Sequence, residues 1–188
     1  MIGPGTSVAP FVGFAEHRLL EEKRRQEEEQ SACPTDGVWR CGFSLEELAL
    51  DDEMGETGTN EESPPEQPFL WLVTGCRHER KDYLYRAELE SFASQGVLSK
   101  LTCAFSRDQP HKVYVQHKLL EHSKLVADSI LCKKAYVFVC GDGAKMAGGV
   151  HETLVRILQM HGGMSQDEAS EMMRVLSKRG RYVRDIWS

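Results

Sequence analysis

The sequence predicts an α/β domain in which parallel strands alternate with helices. Three short apolar runs, at residues 69–74, 101–105 and 135–140, are rich in β-branched or aromatic residues and are too short for ordinary helices. Because these runs are continuous rather than alternating, both faces of each strand are expected to be covered, as in a parallel sheet. Amphipathic stretches lie between the runs, which favours right-handed helical crossovers.

A glycine-rich turn opens the chain. Gly3 and Gly5 surround Pro4, and a charged stretch that we predict to be helical follows to about Gln30. Backbone N–H groups at such a turn and helix start can approach a pyrophosphate closely. A glycine turn alone is weak support for a ligand site, because many such turns only reverse the chain. Only two residues precede the turn, so the first strand is expected to be nearly missing.

Four further amphipathic stretches predict helices. Asp82 is expected to be the N-cap of the first, and a capping box at Ser165 and Glu168 opens the last. The methionine pair in the last stretch is expected to fill core space. The apolar positions that define the four faces are Tyr85, Leu89 and Phe92; Val115, Leu119, Val126 and Ile130; Val150, Leu154, Ile157 and Leu158; and Ala169, Met172, Met173 and Leu176.

Residues 31–68 differ in composition from the rest of the chain. They hold ten acidic residues against one arginine, whereas the remaining chain carries a net charge of +3. We expect a flexible acidic insertion on the surface, with one helical turn near residues 43–50; a docking or regulatory segment is the alternative. The mildly basic remainder suits an anionic small molecule better than nucleic acid, which needs a denser basic face.

Composition excludes several classes of protein. Mean hydropathy is -0.43, and the apolar runs, such as residues 69–73, are far shorter than the ~20 residues of a membrane helix. The N-terminus lacks the basic and then apolar pattern of a secretory signal. Six cysteines are scattered without a CxxC pair, which indicates reduced thiols rather than disulfides or a zinc site. A cytoplasmic location and no bound metal are therefore expected.

Cationic and hydroxyl side chains follow the first two apolar runs. Arg77 comes after the first run, and Ser106 and Arg107 come after the second, with Lys112 and Tyr114 close behind. Ligands of open α/β sheets bind beyond the carboxyl ends of the strands. A guanidinium, an ammonium and two hydroxyls suit a phosphate monoester, such as the adenosine 2′-phosphate of NADPH. The alternative is a solvated polar loop, with Arg77 as an ordinary surface arginine.

Two further motifs lie in the C-terminal part of the chain. The third apolar run ends at Cys140, and Gly141 and Asp142 follow it as another glycine turn after a strand. Trp187 is the penultimate residue. Exposure of an indole is unfavourable, so this side chain is expected to pack either on the protein or on a ligand ring.

Together and in this order, the motifs resemble the NADPH-binding domain of the diflavin reductases. That domain is Rossmann-like and of the ferredoxin-NADP reductase type, and the resemblance covers nearly all of the chain outside the acidic stretch. Residues 75–78, 82–84 and 185–188 look most like methionine synthase reductases, whereas 111–117 and 178–182 look more like microsomal NADPH–cytochrome reductases. The first similarity is favoured, which implies methionine synthase rather than a haemoprotein as the electron acceptor.

The resemblance implies binding roles at the matching positions. Gly5 and Thr6 would contact the pyrophosphate of NADPH, and Arg77 would also contact the dinucleotide. The 2′-phosphate would be held by Ser106, Arg107, Lys112 and Tyr114, with Gln116 near the adenosine.

The resemblance also implies which residues act at the nicotinamide. Cys140 and Asp185 would stand beside the ring and assist hydride transfer from NADPH to FAD. Asp142 and Met146 would line the nicotinamide pocket. Trp187 would stack on FAD and move aside to admit the nicotinamide. Electrons would then pass through FMN to an acceptor protein.

Three features depart from the family pattern. Ser7 stands where the family usually has Gly, and residues 143–145 replace a run of a small residue, a basic residue and Asn. No part of the chain resembles an FMN or FAD domain. We therefore expect residues 1–188 to be one NADP-binding domain of a larger flavoprotein, inactive without its FAD domain. A nucleotide-binding fragment without turnover is the alternative.

Overall fold

The computed structural model describes residues 1–31, 68–142 and 146–187. The chain divides into two compact units, Met1–Leu20 together with Phe69–Ser188, and Glu21–Pro68. The strands are β1 (Trp71–Cys76), β2 (Lys100–Phe105), β3 (Val137–Asp142) and β4 (Tyr182–Trp187). A short 3-10 turn (Gly5–Val8) precedes the helices, which are α1 (Ala9–Ser31), α2 (Glu79–Asp82), α3 (Arg86–Ser94), α4 (Val115–Glu121), α5 (Ser123–Leu131), α6 (Gly148–Gly162) and α7 (Gln166–Lys178).

The described part of the second unit is mainly the end of α1. Within it, Arg24 pairs with Glu21 at 2.9 Å and with Glu28 at 3.6 Å. Ion pairs at this spacing stabilise an exposed helix modestly. The predicted acidic insertion at residues 31–68 falls almost wholly outside the described residues.

The strands form parallel pairs, as the sequence predicts. β1 pairs with β2, and β3 pairs with β4. Ile2 bridges Val73 of β1 and Val139 of β3, both in the parallel sense. The order across the sheet is therefore β2, β1, the segment around Ile2, β3 and β4.

Three N-terminal residues take the place of a central strand. Ile2 donates its N–H to the carbonyl of Phe138 at 2.8 Å and accepts from the N–H of Cys140 at 2.9 Å. On the other side, Val73 donates to Met1 at 2.8 Å and accepts from Gly3 at 3.0 Å. In the described residues, this short segment joins β1 to β3.

Helices cover both faces of the sheet. Leu72 and Val73, neighbours in β1, belong to different buried clusters, because successive strand residues point to opposite faces. One cluster joins the sheet to α4, α5, α6 and α7 through residues that include Leu119, Ile130, Leu154, Ile157, Leu158 and Met173. The other joins it to α1 and α3 through residues that include Phe11, Val12, Ala15, Leu89 and Phe92. The expected burial on both faces is observed for β1, whereas most residues of β2 are only half-buried and β3 is buried over Val139, Cys140 and Gly141.

β4 is a strand that the sequence analysis missed. Arg184 and Asp185 interrupt its apolar pattern, and only Tyr182 of its residues is buried. A strand at the edge of a sheet has fewer covering neighbours than a central strand. Its sequence therefore need not be continuously apolar.

The predicted capping box of α7 is confirmed. The Ser165 hydroxyl accepts from the Glu168 N–H at 3.3 Å, and the Glu168 carboxylate accepts from the Ser165 N–H at 2.8 Å. The prediction that Asp82 caps the next helix is wrong, because Asp82 ends α2 and accepts from the N–H of His78 at 3.2 Å. α3 instead follows Tyr85, whose φ is 56°.

The apolar stripe from Val115 to Ile130 belongs to two helices rather than one. α4 ends and α5 begins on either side of His122, whose φ of -109° is not helical. The His122 ring packs edge-on against Trp71, with centroids 5.5 Å apart. The interruption between α4 and α5 therefore lies at the residue that contacts Trp71 of β1.

In the described residues, no helix has both the length and the apolar character needed to cross a membrane. The same residues contain no group of three or more side chains that could hold a metal ion. Cys76, Cys103, Cys132 and Cys140 are free thiols.

Candidate functional site

The carboxyl ends of all four strands lie along one edge of the sheet, because the strands are parallel. β1 ends at Cys76, β2 at Phe105, β3 at Asp142 and β4 at Trp187. The turn at Gly5 follows the central segment at the same edge. β2 and β4 lie four inter-strand spacings apart, roughly 19 Å. A ligand that touched both ends of this edge would have to be elongated.

Arg77 and Arg107 leave the sheet side by side. Ser106 donates its N–H to the carbonyl of Cys76 at 2.9 Å, and Arg107 donates to the carbonyl of Arg77 at 2.9 Å. These bonds extend the pairing of β1 and β2 beyond the strand ends. Both arginine side chains are exposed. The structure thus brings together three of the residues that the sequence assigns to dinucleotide binding.

Asp108 anchors these two loops to each other. Its carboxylate accepts from the Glu79 N–H at 2.8 Å and lies 2.8 Å from Nδ1 of His78. The Glu79 N–H, and then His78, hold the pKa of Asp108 below its ordinary value. No role for Asp108 is predicted from the sequence. The sequence feature that could have indicated this role is the position of an acidic residue directly after Arg107 and before the next basic residues.

The loop that follows β2 leaves its cationic and hydroxyl side chains exposed. Gln109 crosses the loop and donates from Nε2 to the carbonyl of His111 at 3.0 Å. Tyr114 precedes α4, donates its N–H to Nδ1 of His117 at 2.9 Å, and stacks on that ring at 5.9 Å. Tyr114 is 44% exposed, and Lys112 is also exposed. Both are available to an anion at this end of the sheet.

The side chain of Gln116 approaches a neighbouring helix. It is in the first turn of α4, and a Cβ added to Gly149 of α6 would lie 2.7 Å from its Nε2. Its Oε1 is buried and has no hydrogen-bond partner among the described residues. The expected position of Gln116 beside the adenosine stays a prediction.

Cys140 and Asp185 lie opposite each other on β3 and β4. They are partners in the strand register, and the Cys140 thiol donates to Oδ2 of Asp185 at 3.7 Å. Cys140 is 2% exposed, whereas Asp185 is exposed. Burial, and then the negative charge of Asp185, raise the pKa of Cys140, so the group is a neutral thiol near pH 7. The pair can supply a neutral sulfur and a carboxylate to the same ligand ring.

Asp142 and Trp187 form the last register pair of the two strands. Trp187 is 47% exposed, and its neighbour Ile186 is 43% exposed. Large apolar side chains that remain accessible at the end of a strand are typical of a surface that binds a ligand or another domain.

Gly141 allows three segments to meet closely. Its φ is 148°, and an added Cβ would collide with Cε of Met146 and lie 3.0 Å from Oγ of Ser7. Gly5 has a φ of 62° and open space where a Cβ would be, while Thr6 is exposed. Residues 143–145, where the chain departs from the family pattern, lie outside the described residues.

A shallow pocket lies between the Gly5 turn and the ends of β1 and β2. It is lined by residues that include Gly5, Thr74, Cys76, Tyr83, Cys103 and Phe105. The hydroxyl of Tyr83 lies 2.9 Å from Sγ of Cys103, and burial raises the pKa of both groups. Burial also raises the pKa of Cys76 to about 11. This pocket is not predictable from the sequence, because Tyr83 reaches it from a separate loop.

Comparison with known proteins agrees with this geometry. The model of the oxidoreductase NAD-binding domain family matches residues 1–152. The chain is 38% identical to a methionine synthase reductase of Rattus norvegicus, 34% to a sulfite reductase [NADPH] flavoprotein alpha-component of Vibrio cholerae and 34% to an NADPH–cytochrome P450 reductase of Salmo trutta. Each match covers 100% of this chain but only 23%, 23% and 25% of the respective relative.

The chain therefore spans about a quarter of the length of these relatives. Its family match, parallel α/β fold and motif order agree. The chain belongs to the oxidoreductase NAD-binding domain family, and its resemblance to the NADPH-binding domain of the diflavin reductases is confirmed.

Proposed function

We propose that this chain binds NADPH and passes its hydride to FAD held by another part of a larger flavoprotein. One observation supports the proposal most strongly. The side chains near the ends of β1 and β2 differ in chemical type from those on β3 and β4. Exposed Arg77, Arg107 and Lys112 follow β1 and β2, whereas the thiol of Cys140 and the carboxylate of Asp185 lie on β3 and β4. An elongated dinucleotide with an extra phosphate at one end matches this division.

The residues fit the cofactor. The open space at Gly5 allows the backbone to approach a pyrophosphate, and Thr6 adds an exposed hydroxyl. Arg107 can make a bidentate contact to the 2′-phosphate, while Lys112 supplies a point charge. Ser106, Tyr114 and Gln116 complete the set proposed for this half of the ligand.

At the other end of the edge, Cys140 and Asp185 orient the nicotinamide. When bound, NADPH would supply the hydride. The carboxylate of Asp185 would stabilise positive charge on the nicotinamide ring, and the neutral thiol of Cys140 would hold the ring position without adding charge. Asp142 and Met146 line the same end. Trp187 would stack on the flavin and move aside to admit the nicotinamide.

The larger protein is proposed by similarity to the relatives. Two of their names include NADPH, and one of these two proteins is named as a flavoprotein component. FAD and FMN domains of the same protein would take up the electrons, and methionine synthase, or alternatively a haemoprotein, would be the acceptor. A cytoplasmic location, a single NADP-binding domain over residues 1–188 and a flexible acidic insertion at 31–68 belong to this proposal. A fragment that binds nucleotide without turnover is the second candidate.

Isothermal titration calorimetry with NADP⁺ and NAD⁺ tests the proposal. We expect NADP⁺ to bind at least 10-fold more tightly, because only NADP⁺ offers a phosphate to Arg107. Equal affinities, or no binding by the folded chain, would contradict it. Mixing the chain with NADPH and free FAD then tests the second candidate. Brisk, saturable flavin reduction excludes the fragment without turnover.

A further inference from the structure

An apolar patch is exposed on the face of the sheet that packs against α1. The ring of Tyr136 stacks on that of Phe138 with centroids 6.5 Å apart, and the ring of Phe14 from α1 meets Phe138 edge-on at 5.9 Å. Val183 of β4 is the register partner of Phe138. Tyr136 is 63% exposed, Phe14 49% and Val183 40%. We call these four residues, Phe14, Tyr136, Phe138 and Val183, the apolar patch.

The helices on this side of the sheet leave β4 uncovered. Among the described residues, the cluster that joins the sheet to α1 and α3 contains none from β4. On the opposite face, Tyr182 of β4 is buried in the cluster with α6 and α7. An exposed group of neighbouring aromatic and aliphatic side chains is typical of a surface that docks another protein surface. The apolar patch is therefore a candidate docking surface.

The apolar patch is continuous with the proposed nicotinamide end of the site. Side chains two positions apart in a strand point to the same face, so three register pairs of β3 and β4 share this face. They are Phe138 with Val183, Cys140 with Asp185, and Asp142 with Trp187. A hydride passes only between atoms about 3–3.5 Å apart. The part of the protein that holds FAD therefore has to approach the face on which the apolar patch lies.

One occupant satisfies both the exposure of the apolar patch and its position. The chain spans about a quarter of the length of its relatives, so most of a protein of that size would lie outside it. A second copy of this chain on the apolar patch would instead occupy the side from which the flavin approaches Cys140. We propose that the apolar patch docks the FAD-holding part of the larger flavoprotein and thereby holds the flavin against the nicotinamide. This inference rests on the proposed function and names the surface that its flavin partner contacts.

A chimera tests the docking surface in a complete protein. In it, this chain replaces the matching quarter of the sulfite reductase [NADPH] flavoprotein alpha-component of Vibrio cholerae, whose name includes both NADPH and a flavoprotein. The double variant Tyr136→Ser with Val183→Thr makes the apolar patch more polar and keeps a β-branched residue in β4. Bleaching of the flavin absorbance after rapid mixing with saturating NADPH measures the rate of flavin reduction.

We expect the double variant of the chimera to reduce its flavin at least about 5-fold more slowly, because loss of an aromatic anchor weakens docking by this factor or more. Met160→Ser is the matched control. It removes a similarly exposed apolar side chain from α6, on the opposite face of the sheet, and should change the rate by less than about 2-fold.

The isolated chain separates docking from nucleotide binding. Calorimetry with NADP⁺ should give affinities within about 2-fold for the double variant and the unmodified chain, because exposed residues outside a binding site have small effects. If the double variant does not fold, Tyr136→Ser alone repeats the test at the most exposed position of the apolar patch. Slower flavin reduction is again expected, and an unchanged rate is contradictory.

Other results overturn the inference in distinguishable ways. Equal rates in the unmodified and doubly substituted chimeras would show that the apolar patch does not dock the flavin part. The same conclusion follows if the unmodified chimera is not reduced although the isolated chain binds NADP⁺. A dimer of the isolated chain that the double variant dissociates, measured by analytical ultracentrifugation, would identify a second copy as the occupant. A parallel loss of NADP⁺ affinity would assign the apolar patch to nucleotide binding. If the unmodified isolated chain does not bind NADP⁺, the proposed function itself fails.

Discussion

Sγ of Cys140 and Oδ2 of Asp185 lie 3.7 Å apart across the β3–β4 pair, although 45 residues separate them in sequence. The parallel register places them directly opposite each other. One is buried and the other exposed, so the carboxylate lies at the open side of the thiol. Burial raises the pKa of Cys140, and the charge of Asp185 raises it further, which leads to the first prediction.

Asp185→Asn should lower the pKa of Cys140. The substitution removes the nearby negative charge but not the burial, so the pKa should stay above that of an ordinary thiol. The rate of alkylation of Cys140 by iodoacetamide, measured by mass spectrometry against pH, should have its midpoint at lower pH. Asp167→Asn on α7 serves as the control. An unchanged or higher midpoint in Asp185→Asn would mean that the carboxylate does not face the thiol in solution.

Asp108→Asn should loosen the loops that carry Arg77 and Arg107. Asn cannot offer two carboxylate oxygens to Glu79 and His78, so the Glu79 amide should exchange its hydrogen faster. NADP⁺ binding should weaken several-fold. Asp128→Asn, which alters an exposed pair with Lys133, is the matched control. Unchanged exchange at Glu79 would contradict the anchoring role.

The same anchor should depend on pH. The pKa of Asp108 is lowered in the folded chain, so the folded state favours the carboxylate. The resulting stabilisation is fully present above the unfolded pKa of about 4 and is lost as pH falls through the lower folded pKa. Glu79 amide protection, measured by hydrogen exchange from pH 6 down to pH 3, should fall towards that of Asp108→Asn. Constant protection across this range would exclude the linkage.

Arg107→Ala should change the choice between dinucleotides. Removal of a charge-assisted contact to phosphate should weaken NADP⁺ binding roughly 10- to 100-fold. NAD⁺ binding should change by less than about 2-fold, because NAD⁺ lacks the 2′-phosphate. Calorimetry with both dinucleotides measures the difference, and Arg156→Ala on the exposed side of α6 is the control. Parallel losses for both ligands would place Arg107 elsewhere on the dinucleotide.

Two glycines near the N-terminus should respond oppositely to alanine. A Cβ on Gly3 would collide with the carbonyl of Ser7 and lie 2.6 Å from the Phe11 ring, so Gly3→Ala should destabilise by about 1–3 kcal/mol. Gly13 lies inside α1 with open space at its Cβ position, and Gly13→Ala should stabilise by about 0.5–1 kcal/mol. Urea unfolding of both variants measures the free energies. Equal effects would show that the turn does not pack as described.

Several features were predictable from the sequence because they depend on neighbouring residues. The apolar runs around Leu72, Ala104 and Val139 predicted β1, β2 and β3, since a strand covered on both faces needs apolar side chains at successive positions. The capping box at Ser165 predicted the start of α7, since its hydrogen bonds span three residues. The order of glycine turns and charged motifs predicted the family.

The sequence by itself thus determined the α/β class, most elements and the residues proposed for the site. The tertiary structure decided that Ile2 completes the sheet, that β4 is a strand, and that Ser7 lies close to Gly141. Strand register, and what covers a side chain, depend on packing between segments far apart in the chain. Local patterns of residue type therefore do not predict which backbone group, thiol or carboxylate from a distant part of the chain a residue will contact.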